Sequence, residues 1–301
     1  EEDAALEDAF QSVQQSIVGT FGEALRDRES RVRARSPFGA LPGWALNSVI
    51  VKAGEDLRQE QLAMQMVEFA ASAFAEDNLN LRLRPYRITC TGGNAGLVEV
   101  VRGTRSIDQL KKRFKGATGR APTLLEVYVA SFGPPYSPTF GLAQREFARS
   151  LAAYSAISFV FAVKDRHYAK LLIDRFGRLV HIDYGFMLGG HPGAVMWETA
   201  PFKMSADYVE LLGGTQSPAF AEFAELLVEA IFSLKRRTSE IVALLAMGMG
   251  RSQGSAVRDV AARLSVIRTR QDVMRLLTTS MDSRRDRQFD YYKLCTNGIF
   301  P

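Results

Sequence analysis

The 301 residues carry 38 Lys+Arg against 33 Asp+Glu, a formal charge of +5, with 47% hydrophobic and 24% charged side chains. This is the balance of a folded globular chain and excludes disordered, collagen-like and coiled-coil classes. The small basic surplus favours an anionic partner (nucleotide phosphate, nucleic acid or acidic lipid) without choosing among them.

Two distant cysteines, Cys90 and Cys295, form no CxxC pair. They argue against a disulfide framework or a thiolate zinc site and fit a reducing cytoplasm. The opening Glu1-Glu2-Asp3 has no methionine and no signal-type segment, so the chain reads as part of a longer protein that is not secreted. In residues 1–30, Phe10, Val13, Ile17, Phe21 and Leu25 recur at helical steps and predict one amphipathic helix. A basic stretch, 31–35, meets the turn signal Ser36-Pro37-Phe38-Gly39. Residues 46–52 read as a strand, and 56–74 as a helix with Asp56 as N-cap and an apolar face of Leu57, Leu62, Met66, Phe69 and Ala73. Residues 80–101 read as strands broken by a hairpin turn at Thr91-Gly92-Gly93-Asn94.

Between Arg102 and Thr123 the basic, glycine-containing sequence predicts a mobile surface loop whose cations form a solvated run. A turn cluster at 133–138 precedes a strong helix over 140–163. The longest apolar run, 151–163, is shorter than the ~18–20 residues of a membrane span and reads as buried core. Residues 171–174 and 178–183 form a second hairpin around Arg175–Arg178. From 206 to 278 the pattern is helical, with breaks near 213–214, 248–254 and 278–283. Residues 284–293 mix arginines with aromatics, which suits either a helix lying on an anionic leaflet or an ordinary packed surface helix.

Phosphoryl transfer needs a cation on the nucleotide phosphates, oxygen ligands for magnesium and a group that takes the proton of the attacking hydroxyl. Lys52, Glu60, Lys164-Asp165-Arg166-His167 and His181-Ile182-Asp183-Tyr184-Gly185 supply candidates in that order. A helix, a turn bearing Asp, Arg and His, a hairpin and then Asp-aromatic-Gly is the order of protein-kinase-like folds. Here Asp precedes Arg and His, the reverse of the protein-kinase order, which points to lipid kinases. On these motifs, together with 49–60, 84–86, 98–101, 181–188, 198–203 and 296–299, the chain resembles the type III phosphatidylinositol 4-kinases, particularly their beta branch. The resemblance covers roughly residues 30–301; residues 1–29 and 112–138 match poorly.

The resemblance implies an α+β, bilobal protein-kinase-like fold with a small β-rich N-lobe and a larger, mostly helical C-lobe. Its expected parts are an N-terminal helical extension (1–30), an N-lobe (31–101) with a hinge at 98–102, and a C-lobe (103–301). The C-lobe would hold a catalytic loop at 164–170, an activation segment at 183–203 and C-terminal helices to 301. By similarity Ser36, Pro37, Phe38 and Gly39 cover the ATP phosphates, Lys52 binds them, Glu60 holds Lys52, Tyr86 lines the adenine pocket, and Glu99, Val100 and Val101 form the hinge. His167 is the expected base, Asp165 its orienter, Arg166 their neighbour, Asp183 the ligand of Mg2+ (or Mn2+), and Lys203 the contact to the lipid headgroup. His181 is expected to be structural. Zinc is disfavoured by the spacing of the histidines and the absence of paired cysteines.

One departure stands out: Lys170 occupies the position at which the superfamily carries a metal-ligating Asn, and an ammonium has no lone pair to offer a metal. The sequence therefore leaves two readings. One is an active 4-kinase making phosphatidylinositol 4-phosphate with Lys170 as a substitute cation. The other is a nucleotide-binding pseudokinase or scaffold. A related 3-kinase or protein-phosphorylating relative is a further alternative, and the activation segment argues against it. The implied partners are phosphatidylinositol in an anionic membrane surface, an upstream helical region and small regulatory proteins, with no nucleic acid. The implied location is the cytoplasm, peripherally on Golgi or other endomembranes.

Overall fold

The computed structural model describes residues 2–192, 197–249 and 254–301. Strands β1 (Val49–Ala53), β2 (Ile88–Gly92) and β3 (Ala95–Glu99) form an antiparallel sheet in the order β1-β3-β2, with Lys52 opposite Gly96. Helix α4 (Arg58–Glu76) covers it with Leu62, Met66, Val67, Ala70 and Phe74, all buried at helical spacing. A second sheet, β4 (Thr104–Ser106), β5 (Leu171–Asp174) and β6 (Leu179–His181), is antiparallel in chain order and underlies the catalytic loop.

The C-lobe is built around α7 (Pro138–Phe161), which packs along α9 (Pro218–Arg236). Ser137 caps α7 by accepting the Phe140 N–H, and Pro138 starts it where no amide donor is needed. From Phe147 onward nearly every residue of α7 is buried, as expected of a helix apolar on all sides, and its Ala and Ser positions allow the close approach of α9. Helices α6 (Leu124–Phe132), α8 (Ala206–Leu211), α10 (Thr238–Met249), α11 (Gly254–Val266), α12 (Arg270–Asp282) and α13 (Arg284–Asn297) surround this pair. The architecture is α+β and bilobal. Among the described residues no helix is long and apolar enough to cross a membrane.

The N-terminal segment departs from the expected single helix. It folds as α1 (Glu2–Ala9), a 3-10 turn (Gln11–Val13), α2 (Gln14–Phe21) and α3 (Leu25–Arg35). Gly22, at φ 93, ends α2 in a conformation that a side chain would strain. Phe10, Ile17 and Phe21 are buried against the C-lobe, with Phe10 5.6 Å from Phe132, while Leu25 is exposed. The boundary expected at residue 30 falls inside α3, which carries the basic stretch in its last turns.

Residues 102–123 are not a loop. β4 leads into α5 (Ile107–Thr118), capped reciprocally by Ser106 and Gln109. The cations hid an amphipathic pattern in which Ile107 and Leu110 are fully buried. Lys111, expected in a solvated run, is buried and paired with Asp207 at 2.6 Å. The start of α4 also differs. Leu57 sits at the N-cap position without a side-chain bond, and Asp56 accepts the Arg58 N–H two residues on. The break expected at 248–254 lies largely outside the described residues.

Candidate active site

The phosphate-loop candidates follow α3. Ser36 Oγ accepts the Phe38 N–H (3.2 Å), Gly39 N–H reaches Ser36 O (3.0 Å), and Arg33 Nε donates to Gly39 O (2.7 Å). A Cβ on Gly39 would collide with the Arg33 carbonyl, so the turn requires glycine there. Pro37 lies within this turn, and Phe38 projects into solvent.

Lys52 on β1 pairs with Glu60 of α4 at 3.4 Å and with the exposed Glu55 at 3.2 Å. Burial alone would lower the Lys52 ammonium; Glu60, Glu55 and Asp183 more than offset this and hold it charged. The other oxygen of the buried Glu60 accepts the Tyr184 N–H at 3.0 Å, tying α4 to the Asp183 turn. Gln59, which sequence reasoning passed over, reinforces that tie by donating to Tyr184 O (3.1 Å) and Gly185 O (2.8 Å). Its signal was positional: it precedes Glu60 on the exposed edge of the same helix.

Two hinge amides are already committed. Glu99 N–H donates to Arg87 O (2.9 Å) and Val100 N–H to Ser48 O (3.0 Å), while Val101 O accepts from Thr104 Oγ1 (2.6 Å). Tyr86 is buried, and its hydroxyl accepts the Asp183 N–H at 3.2 Å.

The catalytic-loop candidates leave α7 through Ala162, at φ 48. Asp165 and Asp183 both sit at φ 61, a left-handed conformation that costs a non-glycine residue about 1–3 kcal/mol and is tolerated where the surroundings enforce it. Arg166 provides that enforcement. Fully buried, it donates from Nε to Lys164 O (3.0 Å), from one terminal nitrogen to Ile182 O (2.9 Å) and from the other to Asp183 O. Its guanidinium stacks near the Tyr184 ring, and Glu198 receives the backbone N–H groups of both Asp165 and Arg166. Arg166 and Glu198 thus lock two loops together from below.

Lys170 bridges the two carboxylates. Its Nζ bonds Asp165 Oδ2 and lies 2.9 Å from Asp183 Oδ2. Burial raises both carboxyls, but the adjacent Lys170 ammonium prevails and holds them below the usual Asp range. His167 Nε2 lies 3.8 Å from Asp165 Oδ1, and its buried Nδ1 has no hydrogen-bond partner among the described residues. Burial pushes the imidazole down to about 4, with Lys293, Lys170 and Arg166 adding to the effect against Asp165. His167 is therefore an uncharged imidazole at neutral pH.

That depression has a stability consequence. Between about pH 6.5 and 4 the unfolded chain binds a proton at His167 that the folded chain refuses, so stability falls as pH drops through that window. Lowering the pH from about 7 to 5 should remove ~2 kcal/mol through this group, read by urea unfolding, and His167→Gln should shrink the loss. His181, stacked on Tyr154 at 4.5 Å and held well below its ordinary value by burial, adds in the same direction and plays a packing role.

The Lys203 expectation is corrected. Its ammonium is buried, pairs with Asp290 of α13 and lies over the Tyr168 ring, so it faces inward rather than toward a lipid. Residues 193–196 of the expected activation segment lie outside the described residues.

Residues 47–256, well over half of the chain, match the family described as phosphatidylinositol 3- and 4-kinase. The chain belongs to this family. It is 35% identical over 291 residues to a phosphatidylinositol 4-kinase of Dictyostelium discoideum, covering 93% of this chain and 24% of that protein. It is 36% identical over 292 residues to phosphatidylinositol 4-kinase beta 1 of Arabidopsis thaliana, covering 92% and 26%. With phosphatidylinositol 4-kinase beta of Xenopus laevis the identity is 32% over 287 residues, covering 92% and 35%. The chain thus spans about a quarter to a third of the relatives it matches.

Kinases of the phosphatidylinositol 3- and 4-kinase family use ATP and a divalent metal. Magnesium typically takes one or two carboxylates and completes its shell with nucleotide phosphates and water. Asp183, 39% exposed at its side chain and charged, fits one such ion. Lys170 offers no ligand for a second, and among the described residues no three His, Cys, Asp or Glu side chains converge. The residues present fit one divalent cation at Asp183.

Proposed function

We propose that the chain transfers the γ-phosphoryl group of ATP to the 4-hydroxyl of phosphatidylinositol, using one divalent cation and Lys170 as a fixed second positive charge. The observation that carries this reading is the Lys170 bridge: an ammonium lies between Asp165 and Asp183, beside a neutral His167. An ammonium so placed neutralises charge on the transferring phosphoryl group without needing to ligate metal.

The remaining roles follow from chemistry and position. Lys52, held by Glu60, binds phosphate oxygens, and the Ser36–Gly39 turn covers the phosphates. Tyr86 walls the adenine pocket, and Val101 N–H is the hinge donor, since those of Glu99 and Val100 are spent. Asp183 would hold the divalent cation, which would supply positive charge to the nucleotide phosphates. His167 accepts the hydroxyl proton and Asp165 orients it.

The substrate class is supported by the names of the relatives and by charge. Between Asp183 and Lys203 the only Lys or Arg is Lys203, and Asp290 occupies it. A ring already bearing phosphates would lack counter-charges there, so an unphosphorylated inositol is favoured. The outer face of α13 supplies the membrane contact. A groove of about 820 Å³ is lined by Trp197, Tyr291, Tyr292, Arg284 and Arg287, a combination of amphipathic rings and cations complementary to an anionic leaflet.

Magnesium-dependent ATP turnover with phosphatidylinositol, set against a peptide substrate, tests this function. Formation of the 4-phosphate is expected, with loss of about a hundredfold or more in His167→Ala. Changing Arg284, Arg285 and Arg287 to Glu should cut vesicle binding at least about tenfold, since each cation near an anionic surface contributes about 1 kcal/mol. Nucleotide binding without transfer to any substrate would instead establish the scaffold reading, which Lys170 itself motivates.

A further inference from the structure

Helix α13 turns one polar stripe toward the site. Asp286, Asp290 and Lys293 stand four and then three residues apart, which places them on one face. Asp286 Oδ1 accepts the N–H groups of Thr199 (3.1 Å) and Ala200 (3.2 Å), and Asp290 takes Lys203. Lys293, 16% exposed at its side chain, lies over the Phe289 ring with its Nζ 3.0 Å from Asp165 Oδ1.

That oxygen is the one facing His167, with Nε2 at 3.8 Å. It is buried and receives no well-aligned hydrogen bond among the described residues, whereas Oδ2 is taken by Lys170. A carboxylate turns about a broad, two-fold torsion, so a single cation on one oxygen leaves it free to pivot. Two cations, one per oxygen, fix its plane.

We propose that Lys293 is a positioning residue of the phosphoryl-transfer site: from α13 it anchors Asp165 Oδ1 and so sets how that carboxylate meets His167. Its catalytic consequence rests on the kinase reading above; its structural part does not. Among the described residues, the charged groups that act most strongly on His167 are Asp165, Lys293, Lys170 and Arg166.

Imidazole NMR titration of the whole chain, with the His167 signals assigned through His167→Gln, reads the structural part directly. In folded Lys293→Met the His167 midpoint should rise by about half a pH unit or more, because a nearby cation is lost. Lys293→Arg should keep it. In the lipid assay Lys293→Met should lower kcat about tenfold with the KM for ATP within about twofold, and Lys293→Arg should restore kcat. An unmoved midpoint in folded Lys293→Met overturns the anchor. A moved midpoint with unchanged kcat overturns the positioning role. If the parent chain transfers no phosphate, the kinase reading fails while the midpoint still decides whether Lys293 holds Asp165.

Discussion

Lys170→Ala is expected to lower phosphoryl transfer by about a hundredfold, the scale on which a single preorganised charge acts at a transition state. The substitution leaves Asp165 and Asp183 facing each other without the ammonium that now bonds both. Their carboxyls should then move up, since burial was opposed chiefly by Lys170. Lys170→Asn should behave differently. Its amide oxygen is a metal ligand, so its rate should climb with magnesium in excess of ATP, whereas the parent rate should saturate once the nucleotide is complexed. Initial rates across a magnesium series at fixed ATP check both outcomes. Full activity in Lys170→Ala would remove the lysine from the mechanism.

Arg166→Met should cost ~3–5 kcal/mol of stability, among the largest effects available to one substitution here. The guanidinium is the sole described donor to three loop carbonyls, those of Lys164, Ile182 and Asp183. Methionine fills the space but leaves those carbonyls buried without partners, and each such loss costs about 1–3 kcal/mol. Asp165 and Asp183 would also lose the frame that keeps them in left-handed conformations. Urea denaturation gives the stability change, and a loss below about 1 kcal/mol would show that neighbouring groups or water replace the arginine.

Two features of the site lie in plain view in the sequence because their chemistry is local. Lys164-Asp165-Arg166-His167 and His181-Ile182-Asp183-Tyr184-Gly185 are short blocks whose residue types suit phosphoryl transfer, and the hairpin between them needs only alternating apolar residues and a glycine turn. Helices α4, α7 and α9 follow from apolar periodicity, and their burial repeats that pattern.

Other features escape sequence reasoning for a physical reason. In α5 the charges of Lys111 and Lys112 conceal a buried face, because Lys111 is neutralised by Asp207 from α8, a partner no local window contains. Lys203 reads as a free cation until α13 brings Asp290 to it, and Lys293 has no meaning until the same helix returns to Asp165.

By itself, then, the amino-acid sequence determines the order of the site's short blocks and the lysine, histidine and aspartates available for chemistry, since each is a matter of residue type and near-neighbour spacing. Only the tertiary structure decides which charges are spent. A buried ammonium or carboxylate takes its protonation and its role from groups far along the chain, and packing alone chooses those groups.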